Sequence, residues 1–261
     1  MKISKNQVKK LIDTHFHAYI VDDFYLIHSI NPSKLLTYNR FDLSFKLLFL
    51  DLIDKERTVA EEVYKSHIKA FSLGKYVEPG NAKKNSIEKY YKDFQKTFKD
   101  ISSNGFSTNK SLIPLSIDGS ISNGSHRLAS AIINNTNIES IKLNIESDTY
   151  DYNFFYKRGV SEKILDIAAT KFIEYANNVY IAIIWPSAIG HEEEISGIIK
   201  NIVYQKKVKL NYTGAHNLIS QIYHGESWIG SEEDKFSGAM HKLLECFKTY
   251  NPVRVVAFQA D

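Results

Sequence analysis

The sequence predicts an α+β protein in two parts, a helical N-terminal region leading into a mixed strand–helix core and then a second α/β domain. Three observations predict this. Apolar residues at helical spacing dominate residues 42–101. At Leu112 the texture changes to short β-like runs separated by turn residues. Beyond residue 158, strand-like and helix-like segments follow in the order βαβααβ. The parts are bounded as 1–146 and 159–261, with the polar, aromatic-rich residues 147–158 between them.

The helices come first. Residues 42–52 are apolar nearly all round, which predicts a buried helix. Thr58-Val59-Ala60-Glu61 has the capping-box pattern, followed by Val63, Ile68 and Phe71 before Gly74. Ile87, Tyr91, Phe94, Phe98 and Ile101 share one helical face, with Gly105 as the stop. Leu112-Ile113-Pro114-Leu115 and Ser120-Ile121 then read as short strands around the turn Asp118-Gly119. A helix starts at Asn123-Gly124, and residues 141–145 alternate like a half-buried strand. In the second part, helices are expected at 161–175, from His191, at 215–223 and at 236–247. Strands are expected at 179–185, 203–210 and 253–258.

Composition narrows the function classes. The 261 residues give room for a sizeable core, and 43% apolar with 24% charged residues is ordinary for a globular chain. A net charge of +3, from 33 basic and 30 acidic side chains, is too balanced to announce a nucleic-acid partner. Cys246 is the only cysteine, so there is no disulfide framework or cysteine-rich zinc site, as suits a reducing cytoplasm. The start, Met1-Lys2-Ile3-Ser4-Lys5-Asn6, leads into a polar run and not a signal-peptide core. The apolar run 45–53 is too short to cross a membrane and contains Asp51. The chain stops at Asp261 just after a strand, so a further domain of a longer polypeptide is an open expectation.

The segment with the clearest chemistry is Ile121-Ser122-Asn123-Gly124-Ser125-His126-Arg127-Leu128-Ala129-Ser130-Ala131. A strand ends, glycine permits a tight turn, and the next residues open a helix whose free amides and dipole favour an anion. Asn123, Gly124, Ser125 and Arg127 are the phosphate-binding candidates; Arg127 adds a fork of donors suited to phosphate oxygens. His126 could donate a hydrogen bond or shuttle a proton.

This segment resembles the Gly-x-His-Arg-x-x-Ala-Ala signature of the ParB/sulfiredoxin fold, whose loop holds nucleotide phosphates. The resemblance implies such a core between about Ile87 and Ile145. Sulfiredoxin chemistry is not implied, because Ser125 stands where its catalytic cysteine would precede the histidine. A wider pattern also resembles proteins of bacterial capsule and surface-polysaccharide loci that transfer a phosphoryl-type group, such as a phosphoramidate, from a nucleotide. It comprises Arg40-Phe41-Asp42, Tyr64 with His67-Ile68, Gly105-Phe106, Ile113-Pro114 and the Gly-Ser-His-Arg loop. That resemblance assigns Arg40, Asp42 and Lys46 to the nucleotide pocket.

Together these imply a cytoplasmic, nucleotide-dependent phosphotransferase acting on a sugar or small hydroxyl acceptor in capsular or surface polysaccharide synthesis. Its donor would be an NTP or CDP-type nucleotide, with Mg²⁺ bridging phosphate oxygens. Arg127 would neutralise developing charge, and Glu78, Asp118 and His126 are the candidate acid–base groups. The alternative is a non-catalytic ParB-like nucleotide- or DNA-binding module.

Two other regions carry candidate chemistry. Leu11-Ile12-Asp13-Thr14-His15-Phe16-His17 resembles the Asp-x-His-x-His opening of TatD-like metal hydrolases, since alternate histidines at a strand end can share a metal. The remaining motifs of that family are missing, and the segment reads equally as a helix with two surface histidines, so no metal site is expected. His191-Glu192-Glu193-Glu194 lacks the second histidine of a zincin and reads as an acidic first helical turn. Between residues 214 and 238, glycines interleave with Glu226 and Trp228, with Lys242 and Arg254 further on; these four are the acceptor-binding candidates. Ile229-Gly230-Ser231 resembles a nucleotidyltransferase Gly-Ser loop, but the paired acidic residues such a site needs are missing from 253–258.

Overall fold

The computed structural model describes residues 1–77, 84–248 and 252–260, in two units, Met1–Asn178 and Val179–Asp261. The beginning of the chain is less helical than the pattern predicts. Strand β1 (Lys2–Ser4) and helix α1 (Lys5–Leu11) are followed by β2 (Phe24–Leu26), which pairs antiparallel with β1. Strand β3 (His28–Ile30) joins a different sheet. Each strand is three residues long, too short for alternation to show in the sequence. Residues 14–19 form a 3-10 helix, so His15 and His17 do not sit on the strand end that the metal resemblance requires. Asp13 instead accepts a hydrogen bond from the His15 amide and caps that turn.

Helix α2 (Asp42–Leu52) has the predicted bounds and is buried on every side. Leu43, Phe45, Leu47 and Phe49 are inaccessible to solvent, each burial contributing about 1.5–3 kcal/mol. Helix α3 (Arg57–Phe71) packs on it. The predicted capping box does not form: Glu56 is the N-cap, no side chain caps the helix, and Thr58 already lies in the first turn. The chain arrives there through a tight turn in which the Lys55 and Glu56 amides both donate to the Leu52 carbonyl. Helix α4 (Ile87–Asn104) buries Tyr90, Phe94 and Ile101, and Gly105 closes it at φ +71°.

Strand β4 (Ile113–Leu115), helix α5 (Ser125–Ile133) and strand β5 (Ile138–Lys142) form a βαβ unit. β4 and β5 are parallel neighbours, and β3 flanks β5 antiparallel, giving the order β3-β5-β4. Strand β5 begins three residues before the predicted 141–145, where the register Ile113↔Ser140 and Leu115↔Lys142 places it. Between β4 and α5 the chain folds back over β4. The Ser116 amide donates to the Ser120 carbonyl, the Ser122 amide donates to Pro114, and Asp118-Gly119 makes the tip. Ile121 meets Leu115 only through an isolated bridge, not a second strand.

Helices α6 (Tyr152–Lys157) and α7 (Glu162–Tyr175) complete the first unit. Residues 147–158, expected as the connector between parts, therefore belong to this core. Phe155 and Phe172 are fully buried with their rings against Phe41, and α7 packs on α2. The division between units falls after Asn178.

The second unit follows the predicted order: β6 (Val179–Ile184), α8 (Glu192–Ile198), β7 (Ile202–Val208), α9 (Tyr212–Ile222), α10 (Ala239–Cys246) and β8 (Val253–Gln259). Strand β8 lies between β6 and β7 and is antiparallel to both, a split βαβ arrangement. Ala215, Ile219, Ile229, Ala239 and Leu243 form a core cluster. No helix among the described residues is long and apolar enough to cross a membrane.

Candidate functional site

The phosphate-loop candidate sits where the β4–α5 connection meets the helix. Gly124 is the N-cap of α5 at φ +90°, a left-handed conformation that glycine adopts without strain. A Cβ there would also lie 2.5 Å from Ile113 Cδ1 and 2.8 Å from an Arg127 guanidinium nitrogen, so any side chain would displace the ends of those two. No side chain caps α5, which leaves the opening amides of the helix open to a ligand. Arg127 is used differently from the simple expectation. It folds back over Gly124, and one guanidinium nitrogen donates to the Leu112 carbonyl at 3.2 Å. Burial lowers its affinity for the proton and the nearby Asp13 charge partly restores it.

Facing this loop across one cavity is a buried polar cluster that begins on α2. The Arg40 guanidinium grips Asp42 through two bonds, Nε to Oδ1 at 2.8 Å and a second nitrogen to Oδ2 at 3.0 Å. Its remaining nitrogen donates to the Ile121 carbonyl, tying the start of α2 to the loop before α5. One turn along, Lys46 Nζ lies 2.8 Å from Asp42 Oδ2 and 3.4 Å from His67 Nε2. Arg40, Asp42, Lys46 and His67 are all nearly inaccessible to solvent. Burial pushes the Asp42 carboxyl up, but the Arg40 and Lys46 charges and hydrogen bonds outweigh it and hold Asp42 well below the usual carboxylate range. Burial lowers Lys46, with Asp42 opposing. Burial and then the Lys46 charge hold His67 well below an ordinary histidine, so its ring is neutral.

The cavity has a volume of about 730 Å³. Residues 122–127 and the Arg40–His67 cluster supply polar walls, while Ile68, Phe71, Tyr90 and Tyr150 add apolar and aromatic surface. Asp42 is the only carboxylate among the described lining residues, and both of its oxygens are taken by cations. Its described lining is therefore rich in donors and cations and includes no spare acid. Such a wall favours an anionic ligand with acceptor oxygens and a flat or apolar portion.

The structure brings Asn123, Gly124, Ser125, His126, Arg127, Arg40 and Lys46 around this one space. His126 is partly buried, with Nε2 2.6 Å from the Tyr64 hydroxyl and its ring edge-on to Phe94. Burial, then the Lys46 and Lys84 charges, keep His126 neutral. Gly105 and Phe106 line an adjoining depression that shares Thr97 and Arg127 with the main cavity.

Asp118 lies apart from the cavity lining. Its carboxylate accepts from the Ser116 hydroxyl and from the amide and hydroxyl of Ser120. Burial would raise it, but these bonds bring it down to about 2, so it holds the turn and makes a poor base near neutrality. Glu78 lies outside the described residues.

The acceptor candidates belong to the second unit. Trp228 packs its ring against Tyr223, centroids 5.1 Å apart, and Lys242 lies 5.9 Å over the same Tyr223 ring. Lys242 also pairs with Glu245 at 3.1 Å. Glu226 is exposed, and Arg254 is half-buried on β8 opposite Ile184 and Lys207. The glycines here serve local structure: Gly238 approaches the Trp228 carbonyl too closely for any side chain, and its amide donates to Ile229.

Asp42, His67 and Tyr64 carry no chemical role in the sequence pattern, yet all three contact the residues around the cavity. A charged pair one turn apart inside an otherwise apolar helix was the available signal, because charges survive full burial only when paired.

Fold and site thus define an α+β protein with a cation-lined, donor-rich cavity at a strand–loop–helix junction. No protein-family model, curated protein or solved structure matches the chain.

Proposed function

We propose that the first unit binds a phosphate-bearing nucleotide in this cavity and transfers a phosphoryl-type group to a hydroxyl acceptor. A cytoplasmic step of surface-polysaccharide synthesis, with a sugar as acceptor, is the setting that the ParB/sulfiredoxin-like signature and the wider residue pattern support. One observation carries the reading. Two groups of residues more than fifty positions apart, the Arg40–Asp42–Lys46–His67 cluster and the loop from Asn123 to Arg127, line the same cavity. Phosphoryl transfer asks for this kind of wall, since catalysis there is mostly positioning and neutralisation of oxygen charge. In the step itself an acceptor oxygen bonds to phosphorus, the bond from phosphorus to the nucleotide oxygen breaks, and the hydroxyl proton leaves to solvent or a base. The open amides of α5 and the cluster's cations stabilise the phosphoryl oxygens, and the aromatic wall holds the base or sugar. Mg²⁺ would be carried in by the nucleotide's own phosphates, since Asp42 has no free oxygen to offer.

Calorimetry of the intact chain with nucleoside di- and triphosphates, with and without Mg²⁺, tests this. Saturable binding is expected, weakened about tenfold or more in Arg127→Ala, the loss typical of one charged hydrogen-bonding partner. Unchanged affinity in that variant would place the phosphates elsewhere. Binding without turnover of any sugar acceptor would leave the non-catalytic nucleotide-binding module in place of the transferase.

A further inference from the structure

Phosphoryl transfer joins two substrates, and the first unit has a second space for one of them. The depression that adjoins the main cavity has a volume of about 350 Å³, near the lower end of the roughly 300–1,000 Å³ typical of small-ligand sites. Thr97 and Arg127 line both spaces, so Arg127 stands on their boundary. One wall is α4, where Lys96, Asp100 and Ile101 share a stripe at helical spacing. The other wall is the turn after Gly105, closed by the Lys110 and Ser111 amides, which both donate to the Ser107 carbonyl.

Asp100 and Lys110 join the two walls. Lys110 Nζ lies 2.8 Å from each Asp100 carboxylate oxygen, and the Asn104 side-chain amide donates to Oδ1 at 2.8 Å. A carboxylate offers about four lone-pair sites, so Oδ2 keeps one for a hydroxyl. The pair is within reach of a ligand, with the Lys110 and Asp100 side chains 57% and 41% exposed. The Ser107 and Ser111 hydroxyls line the same space and have no hydrogen-bond partner among the described residues. Phe106 adds a ring, the apolar surface on which the C–H face of a sugar packs. Lys96 lies one turn before Asp100 yet makes no ion pair among the described residues, because Asp100 is held by Lys110. With Lys96, Lys110 and Arg127 against one carboxylate, the described lining carries surplus positive charge.

We propose that this depression is the acceptor subsite and that the acceptor is an acidic sugar. Its ring hydroxyls meet Asp100 and the two serines, its carboxylate meets Lys96, and one hydroxyl is directed past Arg127 to the phosphates. This rests on the phosphotransfer reading and supplies its second substrate. That hydroxyl oxygen bonds to phosphorus, the nucleotide leaves with the electrons of the broken phosphorus–oxygen bond, and the hydroxyl proton passes to solvent.

NMR titration of the ¹⁵N-labelled intact chain tests this, with D-glucuronate as probe and D-glucose as the neutral control. Glucuronate should shift the backbone amides of residues 107–111, with saturating nucleotide present as well as without it, and bind about tenfold more tightly than glucose. In Lys96→Ala that preference should disappear, while nucleotide affinity by calorimetry stays within about threefold of wild type. Asp100→Asn, which breaks only an exposed ion pair, should keep the fold and weaken both sugars. The inference is overturned if glucuronate leaves residues 107–111 unmoved, competes with nucleotide, keeps its preference in Lys96→Ala, or shifts amides around Glu226 and Trp228 instead. Nucleotide binding that depends on Arg127 would survive any of those results and leave the phosphate reading standing. Failure of the wild-type chain to bind any nucleotide removes that reading, and the acceptor role with it.

Discussion

Asp42–Lys46 in the first unit and Lys242–Glu245 in the second are both ion pairs spanning about one helical turn, with nitrogen–oxygen distances of 2.8 and 3.1 Å. Their surroundings differ completely. The side chains of Lys46 and Asp42 are 3% and 1% exposed, whereas those of Lys242 and Glu245 are 34% and 68% exposed. Water screens the second pair, so it adds little to stability and leaves Lys242 free to rearrange. The first pair has given up its hydration and relies on Arg40, Ile121 and His67 to complete its bonding. Buried ion pairs of this sort are rarely the most stable way to fill a core, so their retention points to what they present to a cavity. The exposed set around Tyr223 has no comparable constraint. Spacing alone does not separate a built site from a solvated face; desolvation does.

The largest test of that contrast is Asp42→Ala, which leaves Arg40 and Lys46 buried without a counter-charge. Urea denaturation should show a loss of about 3–5 kcal/mol. A loss under about 1 kcal/mol would mean that water reaches the cluster and the contrast with Lys242 is one of degree.

The next effect is pH dependence. His67 has a folded-state pKa well below the 6.5 of an unfolded histidine, because burial and then Lys46 oppose its charge. The unfolded chain takes up that proton first on acidification, so this share of stability is complete above about pH 6.5 and falls as pH drops below it. From pH 6.5 to 5.5 the decline attributable to His67 should be about 1 kcal/mol. It should vanish in His67→Phe measured over the same range. Asp42 acts in a lower window: its depressed pKa contributes stability that is full above the ordinary carboxylate value of 3.8 and disappears as pH falls toward the folded value. A flat profile between pH 6.5 and 5.5 would show His67 to be solvated.

The smallest expected effect is Glu245→Ala, which should leave the urea midpoint unchanged within error and nucleotide affinity unaltered. A clear fall in either would give the second unit's charges a role that their exposure does not explain.

Much of the scaffold is legible in the sequence. Helix α2 has its expected bounds because seven of its eleven positions are apolar and they fall all round the helix, which leaves few alternatives to a buried helix. The loop at Gly124 was read because positive φ and an opening helix leave a recognisable residue pattern. Strands β1 to β3 were not, because three-residue strands carry no period and depend on their partners. Residues 147–158 read as a connector because polar and aromatic residues are mixed there. Only packing shows that Tyr152 and Phe155 face a core while Tyr156 faces solvent.

The sequence by itself determined the identities that chemistry needs: a glycine where the backbone turns into a helix, an arginine in its first turn, and an acid and a lysine four positions apart in an apolar segment. Those follow from local geometry, which neighbouring residues dictate. Only the tertiary structure decided which charges were desolvated and which atoms met across the chain. Arg40 reaches Ile121, and Lys46 reaches His67, through contacts spanning 81 and 21 residues. Those contacts gather Arg40, Asp42, Lys46 and His67 into one desolvated cluster, because burial of a charge depends on what packs against it from far along the chain.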